Sequence, residues 1–178
     1  MKPILLITGA SRGIGAATAV LAAQQGWAVA VNYASNASAA NNVVQQIQEA
    51  GGTAIAVQAD VGDEVQVLRM FAEVDNKLGR VSGLVNNAGV VDVTAKVEAQ
   101  SWSRWERMMR INVLGSFACA REAVKRMSNA HGGSGGSIVN VSSAAARLGA
   151  PGQYVDYAAS KSGIDAFTIG LAKRWPTR

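Results

Sequence analysis

Near the carboxyl end of the chain, Tyr157-Ala158-Ala159-Ser160-Lys161 sets a phenol and an ammonium four residues apart. On a helix that spacing places both side chains on one face, about one turn from each other. An ammonium beside a phenol favours the phenolate, which makes the hydroxyl a usable proton donor and acceptor near neutral pH. The same spacing arises by chance on many helices, so its meaning depends on its surroundings. Ser142 and Ser143 lie upstream of it, and Tyr154 stands beside Tyr157 without a lysine one turn on. Glycine-rich residues 8–15, the run Asn86-Asn87-Ala88-Gly89 and the amide Asn112 complete the groups with chemistry to offer.

These groups act together only if the fold gathers them, and the order of elements predicts where they fall. Ile4-Leu5-Leu6-Ile7 is a continuous apolar run, as expected of a strand buried on both faces. Thr8-Gly9-Ala10-Ser11-Arg12-Gly13-Ile14-Gly15 follows it, and an Ala/Val/Leu-rich helix then runs to Gly26. Strand, glycine turn and helix deliver free backbone N–H groups and a helix N-terminus to a pyrophosphate. The spacing is Gly9-x-x-x-Gly13-x-Gly15; a Gly-x-Gly-x-x-Gly pattern fails because Thr18 occupies its last position. A capping turn with no ligand is the bland alternative.

The second strand, at residues 28–31, ends in Asn32, Tyr33, Ala34 and Ser35, all neutral. An acid there would bond an adenosine ribose and repel a 2′-phosphate. Its absence, with Arg12 in the first turn, favours NADP(H) over NAD(H). A helix follows at about 39–50, then a third strand at 53–58 with Asp60 and Val61 at its end, and a helix at about 63–78. Asp60 suits either the adenine amino group or a helix N-cap. A fourth strand at 83–85 runs into Asn86-Asn87-Ala88-Gly89, suited to tying loops together beside a ligand or to a plain turn. A long helical pattern spans 103–127 and is interrupted at Asn112, as an exposed accident or as a break whose freed carbonyl holds a water. Its Met and Trp residues read as core or subunit contact. A Gly/Ser loop at 131–136 leads to a fifth strand at 137–143, and the helix carrying Tyr157 begins at Tyr154. Five strands alternating with helices predict one α/β domain over residues 1–178. Its architecture is a three-layer, Rossmann-like, doubly wound parallel sheet with its crevice at the strand carboxyl ends.

Composition excludes other classes. The 17 basic residues are scattered, and a net charge of +5 without a basic stripe or aromatic platform argues against a nucleic-acid partner. Cys119 and His131 are the only residues of their kinds, so neither a metal site nor a disulfide is expected. Cys119 falls in an apolar helical run and reads as a small buried hydrophobe. Without a signal-like segment or an apolar run of membrane-spanning length, the expectation is a cytoplasmic protein with no membrane partner.

In order and spacing, Thr8-Gly9-x-x-x-Gly13-x-Gly15, Asn86-Asn87-Ala88-Gly89, Asn112, the serine after the fifth strand and Tyr157-x-x-x-Lys161 resemble the classical short-chain dehydrogenase/reductase family. The resemblance covers essentially the whole chain as far as Lys173. Residues 147–157 look like the bacterial branch of glucose 1-dehydrogenase-like and 3-oxoacyl-carrier-protein reductase-like members. What the resemblance implies is an oxidoreductase interconverting a small-molecule carbonyl and an alcohol. Tyr157 would move the proton, and Lys161 would tune it and hold the nicotinamide ribose. Ser143 would bond the substrate oxygen, and Asn112 would position a water linking Lys161 to solvent. Ser142 competes with Ser143, because both faces of a central parallel strand are buried. The expected NADP(H) surface comprises Gly9, Ser11, Arg12, Gly13, Ile14, Gly15, Asn32, Tyr33, Ser35, Asp60, Val61, Asn87, Ala88 and Gly89, with Tyr157 and Lys161. A homodimer or homotetramer is implied for the full-length form, through helix faces around Phe117 and Phe167.

The family continues through a sixth strand, a substrate-covering segment and a seventh strand, whereas this sequence stops at Arg178. The expectation is therefore an incomplete member lacking the last two strands, with Pro176 ending its last helix. Members commonly read Lys-Glu-Val-Ala where Lys173-Arg174-Trp175 stands. Shifting the codons GAG-GTG-GC by one base gives AGG-TGG-C, so a reading-frame change is expected in the coding DNA. The alternative to a working enzyme is a non-catalytic dinucleotide-binding protein.

Overall fold

The computed structural model describes residues 2–174. Its strands are β1 (Ile4–Ile7), β2 (Ala28–Tyr33), β3 (Thr53–Gln58), β4 (Gly83–Asn86) and β5 (Ser137–Asn140). All pair in parallel, in the order β3-β2-β1-β4-β5. The helices are α1 (Gly13–Gln24), α2 (Ala37–Glu49), α3 (Glu64–Lys77), α4 (Trp102–Met109), α5 (Ser116–Met127), the short α6 (Ala145–Leu148) and α7 (Val155–Arg174). The helix stop expected at Pro176 lies outside the described residues.

Alternation along β1 makes the three layers. Ile4 and Leu6 join one apolar cluster with Phe71, Met70 and Cys119 of α3 and α5. Leu5 and Ile7 join the other, with Val43 and Ile47 of α2. Successive strand side chains point to opposite faces, so a run apolar at every position must be covered on both sides. Cys119 is fully buried, and burial, with Glu122 nearby, pushes its thiol up to about 12. It packs as an inert small hydrophobe.

The sheet order reverses direction between β1 and β4, which opens a crevice at their carboxyl ends. Two elements differ from their predicted spans in ways that shape this crevice. β5 stops at Asn140, so Ser142 and Ser143 lie in the connection after it, outside the ladder. The long helix is split by a π-helical turn, Arg110–Gly115, which is where Asn112 falls. Such π turns concentrate at functional sites because the wider turn frees backbone groups. β5 pairs only with β4 among the described residues, and its Val139 is 54% exposed. No described helix is long and apolar enough to cross a membrane.

Candidate active site

The first wall of the crevice is the turn after β1. Gly9 has φ +61°, and a Cβ there would meet the Ala88 Cα at 2.9 Å, so glycine is required both by conformation and by space. Thr8 Oγ1 accepts the N–H groups of Asn87 and Ala88, each at 3.0 Å. The Asn87 side-chain amide donates in return to the carbonyls of Thr8 at 2.8 Å and Gly9 at 3.0 Å. Gly15 is buried beneath the turn, where a Cβ would collide with that same amide. Gly13, at φ +58°, has open space at its Cβ position instead.

No side chain caps the N-terminus of α1, and no acid occupies its first turn. By contrast α2 is capped by Asn36, α3 by Asp63 and α4 by Ser101. An uncapped N-terminus leaves first-turn N–H groups and a positive dipole end for an anion. The residues present therefore fit a dinucleotide phosphate. They open on a cleft of about 770 Å³ running from the glycine turn to the ends of β2 and β3. Gly9, Ser11, Arg12, Gly13, Ile14, Asn32, Ser35, Asp60, Val61, Asn87, Ala88 and Gly89 all line it. Ile14 is 67% exposed there, an apolar side chain displayed where a ligand would cover it.

Four expected cofactor residues, Gly15, Tyr33, Tyr157 and Lys161, are not on the wall of that cleft. Tyr33 packs its half-buried ring against the α2-side core, and Gly15 serves the close packing just described. Asn32 reaches the wall, but its amide is committed. Oδ1 accepts the Gly9 N–H at 3.1 Å, while Nδ2 donates to the carbonyls of Val57 at 3.2 Å and Ala59 at 3.1 Å. It fixes the turn to the sheet. Asp60 is not the α3 cap, which is Asp63; its Oδ1 accepts the Gly62 N–H at 2.9 Å.

Tyr157 and Lys161 lie together on α7, the ammonium 5.8 Å from the phenol ring centroid. Tyr154 packs edge-on against the same ring, with centroids 5.9 Å apart. Lys161 is buried, and its Nζ donates to the Val141 carbonyl at 2.6 Å. Burial lowers the pKa of Lys161, and the charge of Asp165 partly opposes that shift. An ammonium carries three N–H donors, and this one meets a single protein acceptor among the described residues. A Cβ on Gly89 would lie 3.4 Å from Asn112 Oδ1 and 3.6 Å from Lys161 Nζ, so these residues converge on one point of the cleft.

Asn112 holds that point together. Its Oδ1 accepts the Val90 N–H at 2.8 Å, and its Nδ2 donates to the Val90 carbonyl at 2.9 Å and to Ser160 Oγ at 3.0 Å. The Ser160 hydroxyl donates onward to the Tyr157 carbonyl at 2.7 Å. Asn112 is therefore a buried connector and not an exposed accident. The Asn112 backbone carbonyl, within the π turn, accepts from the Ser116 hydroxyl at 2.9 Å.

The two serines are used differently. Ser142 Oγ donates to the Lys161 carbonyl at 3.4 Å, whereas Ser143 Oγ accepts the Ala145 N–H at 3.2 Å. Accepting leaves the Ser143 O–H proton free to donate.

Residues 3–178 match the model of the family described as short chain dehydrogenase. An uncharacterized oxidoreductase of Escherichia coli, YgfF, is 54% identical over 169 residues, which cover 95% of this chain and 68% of that protein. The chain belongs to the short-chain dehydrogenase family. A 3-oxoacyl-[acyl-carrier-protein] reductase of Synechocystis is 39% identical over 98% of this chain and 69% of its own length. The solved short-chain dehydrogenase/reductase of Serratia marcescens superposes with a TM-score of 0.89 at 32% identity, over 97% of this chain and 68% of that one. Family members are thus oxidoreductases that use NAD(P)(H), and these relatives are longer than the present chain.

Several residues at the site escaped sequence reasoning. Arg107 and Arg110 line the cleft from α4 and the π turn, where the sequence offers only helix-surface arginines. Arg104 and Asp156 were equally silent. Arg104 holds Asp156 bidentately at 2.7 and 3.1 Å and donates to the Val93 carbonyl at 2.7 Å. Both side chains are nearly buried, at 8% and 3% exposure. Burial raises the Asp156 pKa, but the bonds from Arg104 and from nearby backbone N–H groups outweigh it and hold the carboxyl below its usual range. The pair fastens the start of α7, one residue before Tyr157, to α4 and to the loop after Gly89.

Proposed function

We propose that the protein interconverts a small-molecule carbonyl and an alcohol using NADP(H), with Tyr157 as the acid/base. The observation that supports this is the buried Lys161 ammonium, 5.8 Å from the Tyr157 ring centroid and 3.6 Å from the Cβ position of Gly89, a residue of the cleft wall. Bound there, the dinucleotide supplies or accepts the hydride at its nicotinamide ring. Gly13, Ile14 and the first turn of α1 hold its phosphates, and Arg12 with Ser35 serves the 2′-phosphate. Lys161 uses its spare donors for the nicotinamide ribose and keeps positive charge beside the phenol. Tyr157 delivers its proton to the substrate oxygen as charge develops there, or receives one in the reverse direction. Ser143, with a free O–H, bonds that oxygen. Asn112 holds the Gly89 loop against α7, and its backbone carbonyl in the π turn is the proposed acceptor for the water.

Neutral residues at the end of β2 and the absence of an acid there favour NADP(H) over NAD(H), and a cytoplasmic location suits that cofactor. The named activity of the Synechocystis relative makes 3-oxoacyl thioesters one reasonable carbonyl class to include in a panel. A second copy of the chain is proposed to pack on the α5 and α7 faces around Phe117 and Phe167, whose rings stack with centroids 4.0 Å apart.

Calorimetric titration with NADPH and NADH, followed by NADPH oxidation against carbonyls, tests the assignment. Tighter NADPH binding with turnover of at least one carbonyl is expected. NADH binding more tightly, with Arg12→Ala leaving NADPH affinity unchanged, would refute the cofactor preference. NADPH binding without turnover on any carbonyl would leave only a dinucleotide-binding module.

A further inference from the structure

We infer that Arg110 sets cofactor preference by acting as the counter-ion of Asp60, so that the adenosine end of the cleft admits a phosphorylated dinucleotide; this rests on the NADP(H) assignment above. Asp60 is the one acidic side chain on the described cleft wall, against three arginines, Arg12, Arg107 and Arg110. Its position is fixed. The Asp60 N–H is held by Gln66 Oε1 at 3.0 Å, and Oδ1 is held by the Gly62 N–H at 2.9 Å. The preceding Ala59 N–H donates to the Tyr33 carbonyl at 2.9 Å, which sets Asp60 beside the neutral end of β2. A carboxylate there undoes what the neutral β2 end allows, because it too repels a 2′-phosphate.

Arg110 answers that charge. Its Nη1 meets Asp60 Oδ2 at 3.2 Å and the Gly62 carbonyl at 3.1 Å. The guanidinium lies on Gly62, where a Cβ would come within 2.9 Å of Nη1 and 3.1 Å of Cζ. The other two arginines do not substitute for it. Arg107 reaches toward Asp92 at 3.8 Å, and Arg12 sits in the glycine turn with no ion pair among the described residues. Arg110 and Asp60 are 45% and 33% exposed, so the pair contributes little to stability. Its effect falls on a ligand phosphate inside the same cleft, whose wall Asp60 and Arg110 share with Arg12 and Ser35.

The test is the dissociation constant of NADPH and of NADH for the wild-type protein, Arg110→Met, Asp60→Asn and the double variant, at low and high salt. Arg110→Met is expected to weaken NADPH by about fivefold at low salt and NADH by less than about twofold, with the difference shrinking at high salt. Asparagine keeps the acceptor and removes the charge, so the double variant is expected to return to within about twofold of wild type. An unchanged NADPH-to-NADH ratio in Arg110→Met would overturn the inference. So would a double variant as weak as Arg110→Met, which would make Arg110 a direct ligand contact. Failure of the wild-type protein to bind either dinucleotide is a different result, since it removes the cofactor assignment itself.

Discussion

Removing only the phenolic oxygen separates the chemistry of the site from its architecture. Tyr157→Phe keeps the ring against Tyr154, so cofactor affinity and melting temperature are expected to hold while turnover falls about 10²- to 10⁴-fold, the scale of general acid catalysis. The serines provide a second contrast. Ser143→Ala is expected to lower kcat by about 10²-fold, as for a lost donor to a developing oxyanion. Ser142→Ala, which removes only a long bond to the Lys161 carbonyl, is expected to change kcat by less than about threefold. Steady-state kinetics on both variants decides the assignment, and the reverse order would transfer the role to Ser142. At this scale the sequence was informative where residue type alone dictates chemistry, as for Tyr157, Lys161 and the glycine turn. It was uninformative where role depends on partners. Asn32 looks like a ligand group from its strand position, yet its amide is spent on Gly9, Val57 and Ala59. Nothing in a linear sequence announces that satisfaction.

The elements bring these residues into register, and the Arg104–Asp156 pair joins three of them at the start of α7. Arg104→Met leaves a nearly buried carboxylate without its partner and is expected to cost about 3 kcal/mol in chemical denaturation. Asp156→Asn should cost less, because no bare charge remains. The pH dependence has a definite sign. The folded Asp156 pKa lies below its usual value, so its stabilisation is complete above the unfolded pKa of about 3.9 and is lost as pH falls through the lower folded value. Denaturation curves taken down that acid range should show a smaller loss for Asp156→Asn than for wild type; equal losses would contradict the pairing. The predicted interruption at Asn112 was legible because an amide broke an apolar helical pattern. Its form, a π turn with the amide clamping Val90 and Ser160, was not, since those partners lie on other elements. The early end of β5 follows similarly from where pairing with β4 stops at Asn140.

For the whole molecule, alternation of apolar strands and helices was enough to foresee the parallel sheet, and the order β3-β2-β1-β4-β5 puts the glycine turn and the Asn86 loop side by side. Assembly is tested by sedimentation. A dimer across the α5 and α7 faces around Phe117 and Phe167 is expected, and Phe117→Glu, which sets a charge on that face, should yield monomers while leaving the cofactor cleft intact; a monomeric wild-type protein would contradict that proposal. The central claim is that one cleft binds NADPH and presents it to a proton-transfer phenol. Its most direct test measures NADPH binding and carbonyl-dependent NADPH oxidation side by side in the wild-type protein and Tyr157→Phe. Equal binding in both and oxidation only in the wild type are expected, whereas oxidation at the wild-type rate by Tyr157→Phe would contradict a proton-transfer role for the phenol.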